Sequence, residues 1–337
     1  MRAVVVDFER GDLALRDVAE PRIDGAEQVL LRVRQVGVCG TDREIAAGRI
    51  VHPPPGSSFL TIGHEALAEV AECGSGVHDL QPGDWVAPIV RRPCPLPCGA
   101  CASGRTDLCL SGEYRERGIV AEHGYFTEFA VDERRYLLRV PRDLVDVGIL
   151  IEPLSVVEKA IELARRAHHD HYVFDPPKAL VLGAGTIGIL SAMVLRARGF
   201  DTAVWSQEDR RHLRVRLLEE AGMRYERGPA DIVIEATGSA EATMTGLASM
   251  ARGGVLVTLG APNAEVLFPF RDLIVKNQAV LGSVNASPES FEAAVEDLQR
   301  FDRSILQRMI RQVGFEDFRW SINGPAAEHP KLVHMIV

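Results

Sequence analysis

Three short segments carry side chains of the kind that bind a Lewis-acidic metal: Cys39-Gly40-Thr41-Asp42, Gly63-His64-Glu65 and Glu152-Pro153-Leu154. A soft thiolate, an imidazole and a carboxylate are ligand types that suit Zn²⁺ with one coordination position left open. Each segment alone says little, because a lone Cys or His is more often packed in a core than bound to metal. They gain meaning beside Gly183-Ala184-Gly185-Thr186-Ile187-Gly188, which matches G-x-G-x-x-G. That run follows the apolar stretch Ala179-Leu180-Val181-Leu182 and opens a helical pattern, the context a dinucleotide-binding turn requires. Gly183 allows the tight turn, Gly185 lets the backbone approach a pyrophosphate, and Gly188 lets helix and strand pack closely. The helix start then offers free N–H groups and partial positive charge to the phosphates.

Cofactor preference is read about 20 residues further on, at the end of the second strand. Ser206 stands there, where an acid would select the ribose hydroxyls of NAD, and Arg210 and Arg211 follow closely. The two arginines favour a 2′-phosphate, hence NADP or dual use, whereas Glu208 and Asp209 point the other way. A second cluster, Cys94-x3-Cys98-x2-Cys101-x7-Cys109, is bent by Pro93, Pro95, Pro97 and Gly99. Four thiolates so close together fit a closed, all-thiolate structural Zn²⁺ site better than disulfides. Cys73 stands alone and reads as packed.

The elements that must position these groups fall into two styles. Up to about residue 150, short β-rich runs alternate with Gly and Pro: Met1 to Asp7, Val29 to Val36, Ala66 to Ala71 and Trp85 to Val90. Beyond it, helical periodicity from Val156 to Ala167 leads into alternating strands and helices. These are strand 179–182, helix 190–198, strand 202–205, helix 213–221, strand 231–236, a strand within 253–260 and strand 279–282. Such alternation predicts a parallel sheet covered on both faces, with the chain returning to the first domain from about Ser287.

At 337 residues the chain is long enough for two domains. Its net charge of −9 argues against nucleic acid or an anionic membrane as partner. The N-terminal apolar run is too short for a secretory signal, and the uncharged stretch 179–195 contains closely spaced glycines that suit a buried strand and helix rather than a membrane span. Clustered cysteines in a large soluble enzyme point to a reduced, cytoplasmic protein.

Taken together, Cys39, His64, Glu152 and the downstream glycine turn resemble the zinc-dependent medium-chain dehydrogenase/reductase superfamily, essentially end to end. The resemblance implies an α/β fold: a GroES-like, β-rich catalytic domain (residues 1–150 and 287–337) and a Rossmann-type, doubly wound parallel sheet domain (151–286). A structural zinc lobe (93–110) lies within the former. It implies that Cys39 and His64 bind catalytic zinc, that Glu65 and Glu152 serve or alternate as carboxylate ligands, and that Asp42 orients His64. Thr41 would touch the substrate oxygen and pass its proton outward. The reaction implied is hydride exchange between an alcohol or aldehyde carbon and the nicotinamide of NAD(P), with zinc polarising the oxygen. Simple-alcohol members carry a cysteine at the position of Glu152, so the chain is placed with the polyol and sugar members. The family's cysteine lobe usually has two residues between its first pair of cysteines, where this chain has three.

Within the superfamily the chain looks most like the glucose 1-dehydrogenase branch, through Val90–Cys94, Ser111–Ile119, His123-Gly124-Tyr125 and Leu281–Ala286. That likeness implies that Glu116 and Asn285 contact sugar hydroxyls, with Asn285 also near the nicotinamide. Some members carry a further acid where this chain has Val156. The alternatives are a zinc dehydrogenase of sorbitol, threonine or another alcohol, a zinc-independent quinone or enone reductase, and a non-catalytic NADP-binding protein of the same fold. The family also implies a homo-oligomer, dimer or tetramer, paired through the edge strands of its cofactor domains.

Overall fold

The computed structural model describes residues 1–168, 171–260, 264–324 and 327–336. The N-terminal part is built on a mixed sheet in the order Leu137–Val140, Trp85–Pro88, Glu65–Cys73, Gln28–Val38, Lys331–Met335 and Ile310–Gly314, with Phe129–Glu133 also paired to Gln28–Val38. The long strand Gln28–Val38 explains this centrality. Val29, Leu31 and Val33 point one way at a period of two, and Val36 to Val38 are buried on both faces. Two three-stranded sheets complete this β-rich unit: Asp12–Asp17, Arg2–Asp7 and Phe59–Thr61, and Arg91–Arg92, Arg115–Arg117 and Ala121–Glu122.

The second part is a six-stranded parallel sheet ordered Arg224–Tyr225, Asp201–Trp205, Lys178–Leu182, Ala230–Glu235, Met250–Thr258, Ala279–Gly282. Chain order reverses at Lys178–Leu182, which pairs with Asp201–Trp205 on one side and Ala230–Glu235 on the other. In such sheets ligands bind in the crevice outside the carboxyl ends of the strands at this reversal. The glycine turn follows Leu182 directly, so it opens into that crevice.

The helix Ile151–His168 joins the two parts. Ile151, Leu154, Val157, Ala160, Ile161 and Ala164 are buried at helical spacing. They share one apolar cluster with Leu67, Ala87 and Val140 of the β-rich unit and with Val181 and Ile232 of the parallel sheet. The helix starts before the apolar periodicity at Val156 because Pro153 lies in its first turn, where a missing N–H costs nothing. The strand at Trp85 stops at Pro88 rather than Val90, since proline supplies no ladder donor.

After Ser287 the chain forms two helices before it pairs with the β-rich sheet again. Helices Pro288–Arg300 and Arg303–Met309 bury Phe291, Ala294, Leu298, Ile305 and Leu306 in the apolar cluster shared by the β-rich unit and the parallel sheet. The chain rejoins the β-rich sheet only at Ile310. Among the described residues, no helix is long and apolar enough to cross a membrane.

Candidate active site

Cys39 ends the long central strand and begins the helix Gly40–Ala46. Its Sγ accepts the Thr41 backbone N–H at 3.2 Å, while the Asp42 carboxylate accepts the Cys39 N–H at 2.9 Å. This is a capping box with a thiol where Ser or Thr is usual. The local fold thus holds the thiol at a fixed strand–helix corner. Thr41, half-buried in the same turn, lies beside it.

The Cys39 Sγ is 3.0 Å from Nε2 of His64, whose Nδ1 lies 3.5 Å from the buried Asp42 carboxylate. Glu65 begins the next strand in register with Gly37. A Cβ at Gly37 would fall 2.1 Å from a Glu65 carboxylate oxygen, so only glycine leaves room for that side chain against the strand. Cys39, His64 and Glu65 bring one ligand atom each within 4.8 Å of one another. Glu152, in the first turn of Ile151–His168, stands outside that set.

The charges in this corner explain why a cation suits it. Burial works against an imidazolium at His64, but the Cys39 thiolate and Asp42 overcome it and hold the ring's affinity for a proton well above normal. Removal from water, and then the Glu65 carboxylate, push Glu152 up to about 7. Acidic groups thus crowd one another here in a site removed from water. A thiolate, an imidazole and carboxylates meeting in one buried corner fit Zn²⁺. Cys39, His64 and Glu65 could hold it, with Glu152 as a further carboxylate.

One residue here carries no motif. Lys331, only 1% exposed, forms an ion pair with Glu65 and donates to the Val38 carbonyl at 3.2 Å. It starts a strand whose other members through His334 are buried as well. A lysine at the head of so buried a strand was the available signal, but its partner far along the chain was not visible.

The four sulfurs of Cys94, Cys98, Cys101 and Cys109 also lie within 4.8 Å of one another. The extra residue between the first pair is accommodated by an outward bulge, with Leu96 86% exposed and its carbonyl 3.2 Å from Cys94 Sγ. Backbone N–H groups of Cys101 and Leu110 pull the Cys98 thiol down to about 6, the direction that favours a thiolate ligand. The donor set fits a structural Zn²⁺.

Glu116 is 6% exposed, and its Oε1 accepts hydrogen bonds from Asn285 Nδ2 at 2.6 Å and from Arg91 Nε at 2.9 Å. The Arg91 guanidinium lies over the Tyr114 ring, 3.6 Å from its centroid. The Glu116 strand runs between Arg91–Arg92 and Ala121–Glu122. The loop that follows returns to Gly63, whose carbonyl accepts the Tyr125 N–H at 2.8 Å one residue before His64. Sequence reasoning paired neither Arg91 nor Tyr114 with this group.

At the glycine turn, Gly183 has φ +112° and its N–H bonds the Trp205 carbonyl at 2.8 Å. Gly185 is the N-cap of Thr186–Ala197, and Ile187 is half-buried in its first turn. The Thr186 hydroxyl donates to the Pro330 carbonyl at 2.7 Å, tying this helix to the residue before Lys331. At the second strand, Ser206 Oγ is 2.9 Å from the Tyr225 hydroxyl. The two arginines behave differently. Both are exposed, but Arg210 pairs with Glu219 and donates to the Tyr225 carbonyl at 3.0 Å, whereas Arg211 makes no ion pair among the described residues. Glu208 is drawn to Arg214 at 3.2 Å.

Two family models cover nearly the whole chain. "Alcohol dehydrogenase GroES-like domain" matches residues 25–142, and "Glucose dehydrogenase C-terminus" matches residues 145–323. A glucose 1-dehydrogenase of Thermoproteus tenax is 44% identical over 320 residues, covering 90% of each chain. One from Methanocella arvoryzae is 35% identical and covers 99% of each chain. In structure, the glucose dehydrogenase of Haloferax mediterranei in complex with NADP, Zn and gluconolactone is similar at a TM-score of 0.90 and 29% identity, with 100% of this chain and 99% of that one covered. These matches, spanning both parts of the fold, show that the chain belongs to the glucose 1-dehydrogenase branch of the zinc-dependent medium-chain dehydrogenases.

Proposed function

We propose that this protein oxidises an aldose of the glucose type at its anomeric carbon, passing the hydride to NADP⁺ or NAD⁺. The observation that carries the reading is the buried Glu116 carboxylate bonded to Asn285 and Arg91, on a segment whose following loop packs beside His64. A polyhydroxylated substrate needs convergent polar partners of this kind. The relative from Haloferax mediterranei, solved with NADP, Zn and gluconolactone, supports both cofactors and a sugar-derived product.

In this reading Cys39, His64 and Glu65, with Glu152, hold zinc, which when bound supplies the positive charge that acidifies the reacting hydroxyl. Thr41 accepts the hydroxyl proton and passes it outward, while Asp42 fixes the ring of His64. Lys331 pairs with the Glu65 carboxylate and holds it in place. Glu116 and Asn285 grip the sugar hydroxyls away from the reacting carbon. The turn Gly183–Gly188 carries the dinucleotide that takes the hydride, and exposed Arg211, with Ser206 in place of an acid, leaves room for a 2′-phosphate. Cys94, Cys98, Cys101 and Cys109 hold a second, structural zinc.

Glu116→Gln tests the sugar reading. Loss of one charge-assisted hydrogen bond is expected to raise the aldose KM about tenfold, with a smaller change in kcat. Steady-state kinetics with D-glucose checks this, and an unchanged KM would remove Glu116 from recognition.

The reading extends to assembly. Leu267, Phe270, Ile274, Val275 and Val284 are exposed around the outermost strand Ala279–Gly282 of the parallel sheet. An apolar patch beside an open strand edge suits pairing with a second copy of the chain. Sedimentation analysis is expected to find a dimer or tetramer, and Ile274→Glu is expected to shift it towards monomer; a monomeric parent protein would contradict this. The free cysteines suit a reducing, cytoplasmic setting.

A further inference from the structure

The helix Ile151–His168 carries a second polar contact, two turns beyond Glu152 on the same face. Lys159 Nζ reaches in two directions. It pairs with Asp107 at 2.9 Å and donates to the Val284 carbonyl at 2.9 Å. The Asp107 side chain is fully buried inside the cysteine lobe, between Cys101 and Cys109, and its other hydrogen bonds come from Arg105 at 3.1 and 3.0 Å. Lys159 therefore links the lobe to the backbone just before Asn285.

That backbone has an uncommon conformation. Asn285 has φ +63°, one of three non-glycine residues with positive φ among those described. Holding a non-glycine residue there costs about 1 kcal/mol, which the surroundings must offset; the Asn285 Oδ1, accepting the Ala286 N–H at 2.8 Å, offsets part of it. The neighbouring Val284 side chain is 66% exposed and packs too little to do so. The Val284 carbonyl and the Asn285 nitrogen, however, belong to one rigid peptide plane. Fixing that oxygen sets the plane about which the Asn285 φ turns, and with it the direction of the amide that bonds Glu116.

We propose that Asp107 and Lys159 are positioning residues for sugar recognition, which clamp the Val284–Asn285 peptide so that Asn285 faces Glu116. The proposal rests on the reading of Glu116 and Asn285 as sugar contacts. The cysteine lobe then has a role beyond local stability, because it supplies the acid that anchors the clamp. Neither residue touches substrate; both act through Asn285.

The test is a double-mutant cycle on the zinc-loaded enzyme. Lys159→Met is expected to raise the aldose KM roughly tenfold, the cost of one charge-assisted hydrogen bond, with kcat within about twofold. Lys159→Arg, which still donates, is expected to stay within about threefold of the parent, and Asp107→Asn to fall between the two. The decisive readout is coupling: Lys159→Met combined with Asn285→Ala should be no worse than Asn285→Ala alone, as expected for residues acting through one group. A merely structural loss would lower the thermal midpoint and multiply with Asn285→Ala. An unchanged KM in Lys159→Met, or multiplicative effects, overturns the clamp while leaving Asn285 in recognition. An unchanged KM in Asn285→Ala overturns the recognition reading, and the clamp with it.

Discussion

Replacing Cys39 by alanine is expected to lower kcat/KM for aldose oxidation by roughly a thousandfold or more, because metal charge at the reacting oxygen is worth several kcal/mol. The fold should survive. Cys39 is a half-buried corner residue, and its cap to the Thr41 N–H contributes only about 1 kcal/mol. Three readouts separate the readings. Bound zinc should fall from two per chain to one, circular dichroism should be unchanged, and activity should vanish from the background of contaminating reductases. His64→Ala should behave alike, and the pair should not be additive, since both serve one metal. A Cys39→Ala protein retaining a tenth of its activity would place the chemistry elsewhere.

Gly188→Ala is expected to be the second severe change. A Cβ at Gly188 would lie 1.9 Å from the Gly183 carbonyl oxygen, a clash with backbone rather than with a side chain that could move. Helix Thr186–Ala197 must then shift from strand Lys178–Leu182, at a cost of about 1–3 kcal/mol, as for other overpacked interiors. The same shift withdraws the helix start from the pyrophosphate, so NADPH affinity should fall about a hundredfold. Gly185→Ala is the control. A Cβ there meets nothing within 4 Å, so the protein should keep its thermal midpoint and lose only cofactor affinity. Calorimetry and NADPH fluorescence titration distinguish the two. Equal stability loss in both variants would contradict the separate roles of these glycines.

Much of this arrangement was legible in the sequence because the signals are local. The strand before Gly183 and the helix after it are written in consecutive residues, and thiols that share a metal can be counted by spacing. The structure still had to show how the long Cys94–Cys98 gap is absorbed, through the exposed bulge at Leu96. What stayed hidden depends on pairing between distant residues. Lys331 is informative only once Glu65 is seen opposite it. Asp107 and Lys159 look like ordinary surface charges until the lobe folds back on the helix. Arg210 and Arg211 are adjacent and equivalent as sequence, and both are exposed, yet Glu219 engages only the first. The helices after Ser287 show the same limit. Periodicity marks the apolar face of Pro288–Arg300 but does not say which sheet that face will cover.

The central claim is most directly tested by the initial rate of NADP⁺ and NAD⁺ reduction by the purified, zinc-loaded protein. D-glucose would be compared with galactose, xylose, sorbitol and ethanol. Reduction is expected to depend on an aldose, to be abolished in Cys39→Ala and to be weakened through KM in Glu116→Gln. Turnover with sorbitol or ethanol and none with any aldose would contradict it, leaving the zinc chemistry but removing Glu116 and Asn285 from substrate recognition.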